Sequence, residues 1–204
     1  MPYPKLLSSA EILKTAVGLL ERSEPNGISL RAVASALGVK TPSLYRYFPD
    51  KNALELAVAE EALRSMQTEL QSATSTADPE QRYKATLEAY LRFARNRSPL
   101  YTFVMDRIPM TNGSVVGKAV WNLLLDAAGG VSGRSDDTAA AVATWSLLHG
   151  YVVLEQSGAF GVSGPRGGLE LGITAFLRSF CDESLSAGQE DAPRIAGTRR
   201  RKNR

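Results

Sequence analysis

Cysteine and histidine are nearly absent from this chain of 204 residues: Cys181 and His149 are the single representatives of their types. One cysteine allows no intrachain disulfide and no all-cysteine zinc site. One histidine excludes His-rich metal sites and the HExxH arrangement. No run approaches the ~18 consecutive apolar residues of a membrane helix. The opening stretch, MPYPKLLSSAEIL, lacks the apolar segment and cleavage site of a signal peptide. A cytoplasmic protein that needs no cofactor or metal and has no membrane partner is therefore expected. Strands are missing too, because no run of residues alternates apolar and polar between turn signals. There is no internal repeat of roughly 20–50 residues.

Charge is present but unevenly placed. The net charge of +3 divides into +3 over residues 1–52, −4 over 53–187 and +4 over 188–204. A basic head and a basic tail on an acidic body point to a polyanionic partner, most simply nucleic acid. Catalytic material is scarce. Ser146 precedes His149 by three residues on one helix face, but no third group is evident to orient the pair. No enzyme is expected.

The apolar pattern is helical almost throughout. Ser8 and Glu11 form a capping box, followed by a stripe of Ile12, Leu13, Ala16, Leu19 and Leu20. Pro25-Asn26-Gly27 closes that helix. Ser29 caps a second helix carrying Leu30, Val33, Ala34 and Leu37, and Gly38 stops it. Thr41 as N-cap and Pro42 in the first turn begin a third helix ending at Pro49. Asp50 caps a fourth, reaching about Ser72. Further helices are predicted at 79–97, 99–107, 114–128, 135–157 and 168–185. Residues 188–204, ending in TRRRKNR, have no core-forming pattern and read as disordered. The expected domains are a head over 1–52, a helical body over 53–187 and a tail over 188–204.

Residues 29–48 carry the functional signal. Two short helices joined by Gly38-Val39-Lys40 have the spacing of a helix-turn-helix. Val33, Ala34, Leu37, Val39, Leu44 and Phe48 are placed to hold the pair together. Thr41, Pro42, Ser43, Tyr45, Arg46 and Tyr47 are left for the outer side, a set suited to phosphates and base edges.

Residues 12–63 resemble the N-terminal domain of the TetR family of transcriptional regulators. The resemblance lies in Ile28-Ser29-Leu30-Arg31, Val33-Ala34, Leu37-Gly38-Val39, Ser43-Leu44-Tyr45-Arg46-Tyr47-Phe48 and Lys51-Asn52-Ala53-Leu54. The family often has His at the position of Tyr47, Ser at Asp50 and an acidic residue at Asn52. The resemblance implies an all-α fold: a three-helix DNA-binding head with a helix-turn-helix, and a larger helical body that binds ligand and dimerises. It implies phosphate contacts by Tyr45, Tyr47 and Lys51. Thr41, Ser43 and Arg46 would face the major groove, with Lys40 in the same DNA-binding set. Pro42 would touch a thymine methyl, and Arg31 would reach phosphate or a base edge. The implied partners are double-stranded DNA with a palindromic operator, a second copy of the chain, and an unidentified small-molecule effector. The alternative is a non-specific DNA-binding protein driven by its basic ends.

The body carries a second resemblance. Asn96-Arg97-Ser98-Pro99-Leu100-Tyr101 and Trp145…His149-Gly150 look like a C-terminal subtype of the same family. Tyr90, Phe93, Phe103, Met105, Trp121, Trp145 and His149 are the candidate ligand-binding residues, as aromatic and Met side chains spread over several helices. His149 has an alternative reading as a hydrogen-bonded core residue. The helices at 135–157 and 168–185, the latter with Leu169, Gly172, Ile173, Phe176, Leu177 and Phe180 on one side, are expected to pair across a two-fold axis. The alternative is that both faces are internal core. Gly158–Gly168 reads as a flexible connector, and Cys181 as a small buried residue.

Overall fold

The computed structural model describes residues 7–22, 28–73, 76–107, 113–164 and 167–190, with side chains through Phe180. These residues form eight α-helices and no strand: α1 (Ser9–Arg22), α2 (Leu30–Leu37), α3 (Lys51–Ala73), α4 (Pro79–Asn96), α5 (Ser98–Met105), α6 (Val115–Ser132), α7 (Thr138–Gln156) and α8 (Gly168–Glu190). The basic residues near the end of the chain lie outside the described residues.

Helix ends follow local chemistry. At α1 the Glu11 N–H donates to Ser8 Oγ at 3.1 Å, and the Ser8 N–H donates back to the Glu11 carboxylate at 3.2 Å, closing the capping box. Ser29 accepts the Ala32 N–H at 3.1 Å. Gly38, at φ 69°, sends its N–H to Ser35 O, and Val39 sends its own to Ala34 O. That pair of bonds is a Schellman turn, and only glycine enters its left-handed position without strain. The Asp50 carboxylate accepts the Ala53 N–H at 2.7 Å and starts α3. Asp78, Ser114 and Asp137 do the same for α4, α6 and α7.

Three expectations are corrected. The third helix is only a 3-10 turn over Thr41–Ser43, followed by turns through Tyr47, and Lys40 rather than Thr41 stands at its N-cap. Only six residues lie between Pro42 and Pro49, three of them Ser or Tyr, too short a stretch to build a regular α-helix. Helix α6 runs past Gly129-Gly130 to Ser132. A Cβ on Gly129 would lie 2.5 Å from Arg134 O, and one on Gly130 2.8 Å from Arg82 Nη2. The glycines there serve close packing and do not end the helix. Helix α8 continues through residues 188–190, which the sequence pattern assigns to a disordered tail.

Helix α3 joins the two ends of the molecule. It packs on α1 at one side and on α4, α5 and α6 at the other, burying Leu54, Val58, Ala62, Met66 and Leu70. Two ion pairs also tie separate elements together, one from α1 of the head to the start of α5 and one from α3 to the end of α5. Arg97 Nε donates to Glu21 Oε1 at 2.7 Å, and Arg107 Nη2 to Glu55 Oε1 at 3.1 Å.

Candidate nucleic-acid interface and ligand cavity

The head presents its polar residues on a rigid base. Leu44 and Phe48 are buried among Val33, Ala34, Leu54 and the rest of the core, which fixes the turn that carries their neighbours. Tyr45 projects outward and is 50% exposed. Arg31, Lys40, Pro42, Arg46 and Lys51 are exposed with it, while Thr41, Ser43 and Tyr47 are half-buried. The Tyr47 hydroxyl donates to the backbone carbonyl of Leu7. Arg46 Nη2 donates to the same hydroxyl at 3.3 Å, and its guanidinium lies 5.3 Å from the Tyr47 ring centroid. A phenol has one proton to give, and Tyr47 gives it to Leu7. Its geometry therefore braces Arg46 and ties the segment before α1 to the turn.

Lys51, at the start of α3, stands 3.4 Å from Glu55 Oε1. Glu55 is almost fully buried and also receives Arg107 from the end of α5. Arg107 lies over the Phe103 ring at 3.7 Å, so its planar cation is held by an aromatic face and a carboxylate together.

The body holds a half-open cavity of about 830 Å³ between α3, α4, α6, α7 and the end of α5. Leu63, Met66, Met105, Val120 and Leu124 form apolar walls, and Trp121 and Trp145 meet edge-to-face with centroids 6.3 Å apart. Ser114 and Lys118 are polar lining residues from α6 and its cap, and no carboxylate is found among the described lining residues. Tyr90, also on the lining, is almost fully buried. Its hydroxyl accepts from Trp145 Nε1 at 3.1 Å and lies 2.9 Å from the Tyr101 hydroxyl, which in turn lies 2.7 Å from His149 Nδ1. Burial pushes the Tyr90 phenol up to about 12 and raises Tyr101 as well, because a phenolate there would lose its hydration. Among the described residues no group of His, Cys, Asp and Glu is placed to hold a metal.

The N-terminal model of the bacterial regulatory proteins of the tetR family matches residues 12–58, and the tetracyclin repressor-like C-terminal domain matches residues 83–176. The chain belongs to the TetR family. Its curated relatives include two uncharacterized HTH-type transcriptional regulators of Mycobacterium tuberculosis. One is 25% identical over 55% of this chain and 56% of its own length, and the other is 26% identical over 76% and 73%. The match thus spans little more than half the length of the first. A protein of unknown function from Rhodococcus sp. RHA1 shares the fold with a TM-score of 0.71, at 21% identity over 89% of this chain and 98% of that one. The TetR family transcriptional regulator PfmR from Thermus thermophilus shares it with a TM-score of 0.55, at 20% identity over 81% and 94%. No described helix is long and apolar enough to cross a membrane.

In this TetR-family chain the cavity gathers four of the seven residues expected for ligand: Tyr90, Met105, Trp121 and Trp145. Phe93, Phe103 and His149 do not line it. Phe93 and Phe103 are solid core, each at most 3% exposed, and His149 stands behind Tyr101 at the far end of the hydroxyl row. Leu63, Met66, Ser114, Lys118, Val120 and Leu124 line it unforeseen, because an aliphatic side chain facing a cavity has the same helical periodicity as one facing a packed neighbour. The apolar face of α8 is only partly covered by the chain itself. Leu169 and Phe180 are buried, and Ile173, Phe176 and Leu177 pack against the chain's own core. Among the described side chains, the large apolar ones left outside on these two helices are Val142, Val153 and Leu154 on α7 and Leu171 on α8.

Proposed function

We propose that this protein is a transcriptional regulator that binds DNA in a sequence-specific way as a homodimer, and that it acts as a repressor released by a small apolar effector. The observation that carries this reading is the joining of two sites by one helix. Lys51, among the exposed polar groups of the helix-turn-helix, opens α3, and Leu63 and Met66 of the same helix line the 830 Å³ cavity. A TetR-type head is thereby mechanically continuous with a cavity of ligand size.

Tyr45 and Lys51 serve as phosphate contacts, and Thr41, Ser43 and Arg46 face the major groove. Arg31 and Lys40 flank them, and Pro42 offers an apolar contact to a thymine methyl. Tyr47 contributes through the Arg46 it braces. The exposed Val142, Val153, Leu154 and Leu171 form the surface for a second copy. A two-fold dimer calls for a palindromic operator with half-sites about 10 bp apart or a multiple of it. An effector acts by binding more tightly to the arrangement whose heads are wrongly spaced, since equal affinity for both arrangements moves nothing.

Selection of DNA from a random duplex library at physiological salt tests the reading. A palindrome with two half-sites is the expected product. Enrichment of no sequence, with binding that fades as salt rises, would replace it with non-specific electrostatic binding by the basic head and the Arg199–Arg204 tail. Deleting residues 188–204 separates the two: specific binding survives the deletion if the head reads sequence.

A further inference from the structure

The lining of the half-open cavity is graded from wet to dry. At one end Val115 is 84% exposed, and Gly113 and Lys118 are exposed with it. At the other, Met66, Tyr90 and Leu124 are buried, none more than 4% exposed. Helix α6 runs along this grade. Ser114, Lys118, Trp121 and Leu124 all line the cavity, at the three- and four-residue steps that put side chains on one helix face. Lys118 thus stands at the mouth of the stripe that leads inward over Trp121.

The polar side chains at the mouth are donors. The Ser114 oxygen accepts the Gly117 N–H at 3.3 Å, and its own proton has no acceptor among the described residues. A lysine ammonium can only donate. Lys118 is the single charged group on the described lining, and it forms no ion pair among the described residues. Its helical neighbours three and four residues away are Ser114, Val115, Trp121 and Asn122, and the sequence carries no acidic residue from Arg107 to Leu125. The Tyr90 hydroxyl is engaged by Trp145 and Tyr101, which leaves the deep end to apolar contact. Resting on the reading of this cavity as the effector site, we infer that its ligand is an apolar monocarboxylate. The hydrocarbon body lies between Trp121, Trp145 and the aliphatic walls, and the carboxylate stays at the mouth, accepting from Lys118 and Ser114. One lysine matches one negative charge. A cation on the same body meets like charge, and a neutral amide forgoes the ion pair.

Three probes of nearly one shape test this by calorimetry on the full chain: para-phenylbenzoate, para-phenylbenzamide and para-phenylbenzylammonium. The benzoate binds about fivefold more tightly than the amide, the worth of an ion pair at an exposed site, and the ammonium binds most weakly. The advantage shrinks as salt rises. Lys118→Met keeps the length of the side chain and brings benzoate and amide within about twofold. Lys118→Glu, a surface substitution that the fold tolerates, reverses the order and puts the ammonium ahead of the benzoate. Equal affinity of benzoate and amide for the unaltered protein, or an advantage that survives Lys118→Met, overturns the inference while leaving the cavity as a binding site. Binding of none of the three overturns the cavity as a site for apolar bodies, and the inference with it. Benzoate that binds through Lys118 without weakening the grip on the operator selected from the random library upholds the ligand class and overturns the release of DNA.

Discussion

Glu55 serves two cations with one carboxylate. It is nearly buried, holds Arg107 at 3.1 Å and reaches Lys51 at 3.4 Å. Replacing Glu55 with Ala strands the half-buried Arg107 guanidinium, and a loss of about 3 kcal/mol is expected in denaturant unfolding. Lys51→Ala removes only an exposed cation. It should leave stability and oligomeric state unchanged while lowering the slope of log affinity for operator against log salt by about 0.9 per protomer. Tyr45→Ala should weaken operator binding about tenfold or more, the worth of a hydrogen bond to a charged phosphate. Loss of the dimer in either variant would show that these side chains are structural. The buried phenols set a different dependence. Tyr90 ionises near 12 in the fold against an ordinary value of 10.0, so above pH 10 the unfolded chain releases a proton that the fold retains. Stability is fully present below pH 10 and falls by about 2–3 kcal/mol as pH rises to about 12. Tyr90→Phe should flatten that part of a pH series of denaturation curves, with Tyr83 and Tyr101 adding to the remainder in the same direction.

At the scale of elements, the sequence is most readable where structure is decided within four residues. Ser8 with Glu11, Ser29, Gly38 and Asp50 each satisfy backbone groups of their own helix end, and each end stands where those residues place it. Readability fails where distant neighbours decide. Gly129-Gly130 reads as a stop because nothing local reveals that Arg134 and Arg82 crowd that side of α6. The turn after Thr41 reads as a helix because capping residues are present, yet the segment is too short to use them. The reversal at α6 is testable. Alanine at an ordinary helical glycine gains up to about 1 kcal/mol, but Gly129→Ala should lose about 1–3 kcal/mol, because its Cβ would press on a backbone oxygen that cannot swing away. Asp137 tests a cap that also carries charge. Burial works against its ionised form, but the Ala140 N–H and the Arg134 guanidinium outweigh burial and hold its carboxyl below the ordinary value. The stability it supplies is present above the ordinary carboxylate range and lost as pH falls through it. Asp137→Ala should cost about 1 kcal/mol at neutral pH.

For the whole molecule, the decisive question is where the proposed dimer would form. The broad apolar face of α8 is legible as apolar but not as inward or outward, since a core and an interface use the same residues. The structure buries Leu169 and Phe180, leaves Ile173, Phe176 and Leu177 half-buried, and leaves Val142, Val153, Leu154 and Leu171 exposed. Charged substitutions there, Val153→Glu with Leu171→Glu, should convert the dimer to monomer in sedimentation, with each chain still folded. Operator affinity should fall with it, because two linked heads gain from effective concentration and one does not. An unchanged dimer would move the interface elsewhere.

The placement of the two tryptophans has a practical consequence. The chain contains no others, and both Trp121 and Trp145 line the cavity. Light emitted by this protein's indoles comes wholly from the walls of one chamber. Whatever enters it must alter their surroundings, so intensity and colour report occupancy against no background from elsewhere in the fold. The protein carries its own dye, and a library of compounds can be screened against it without a label.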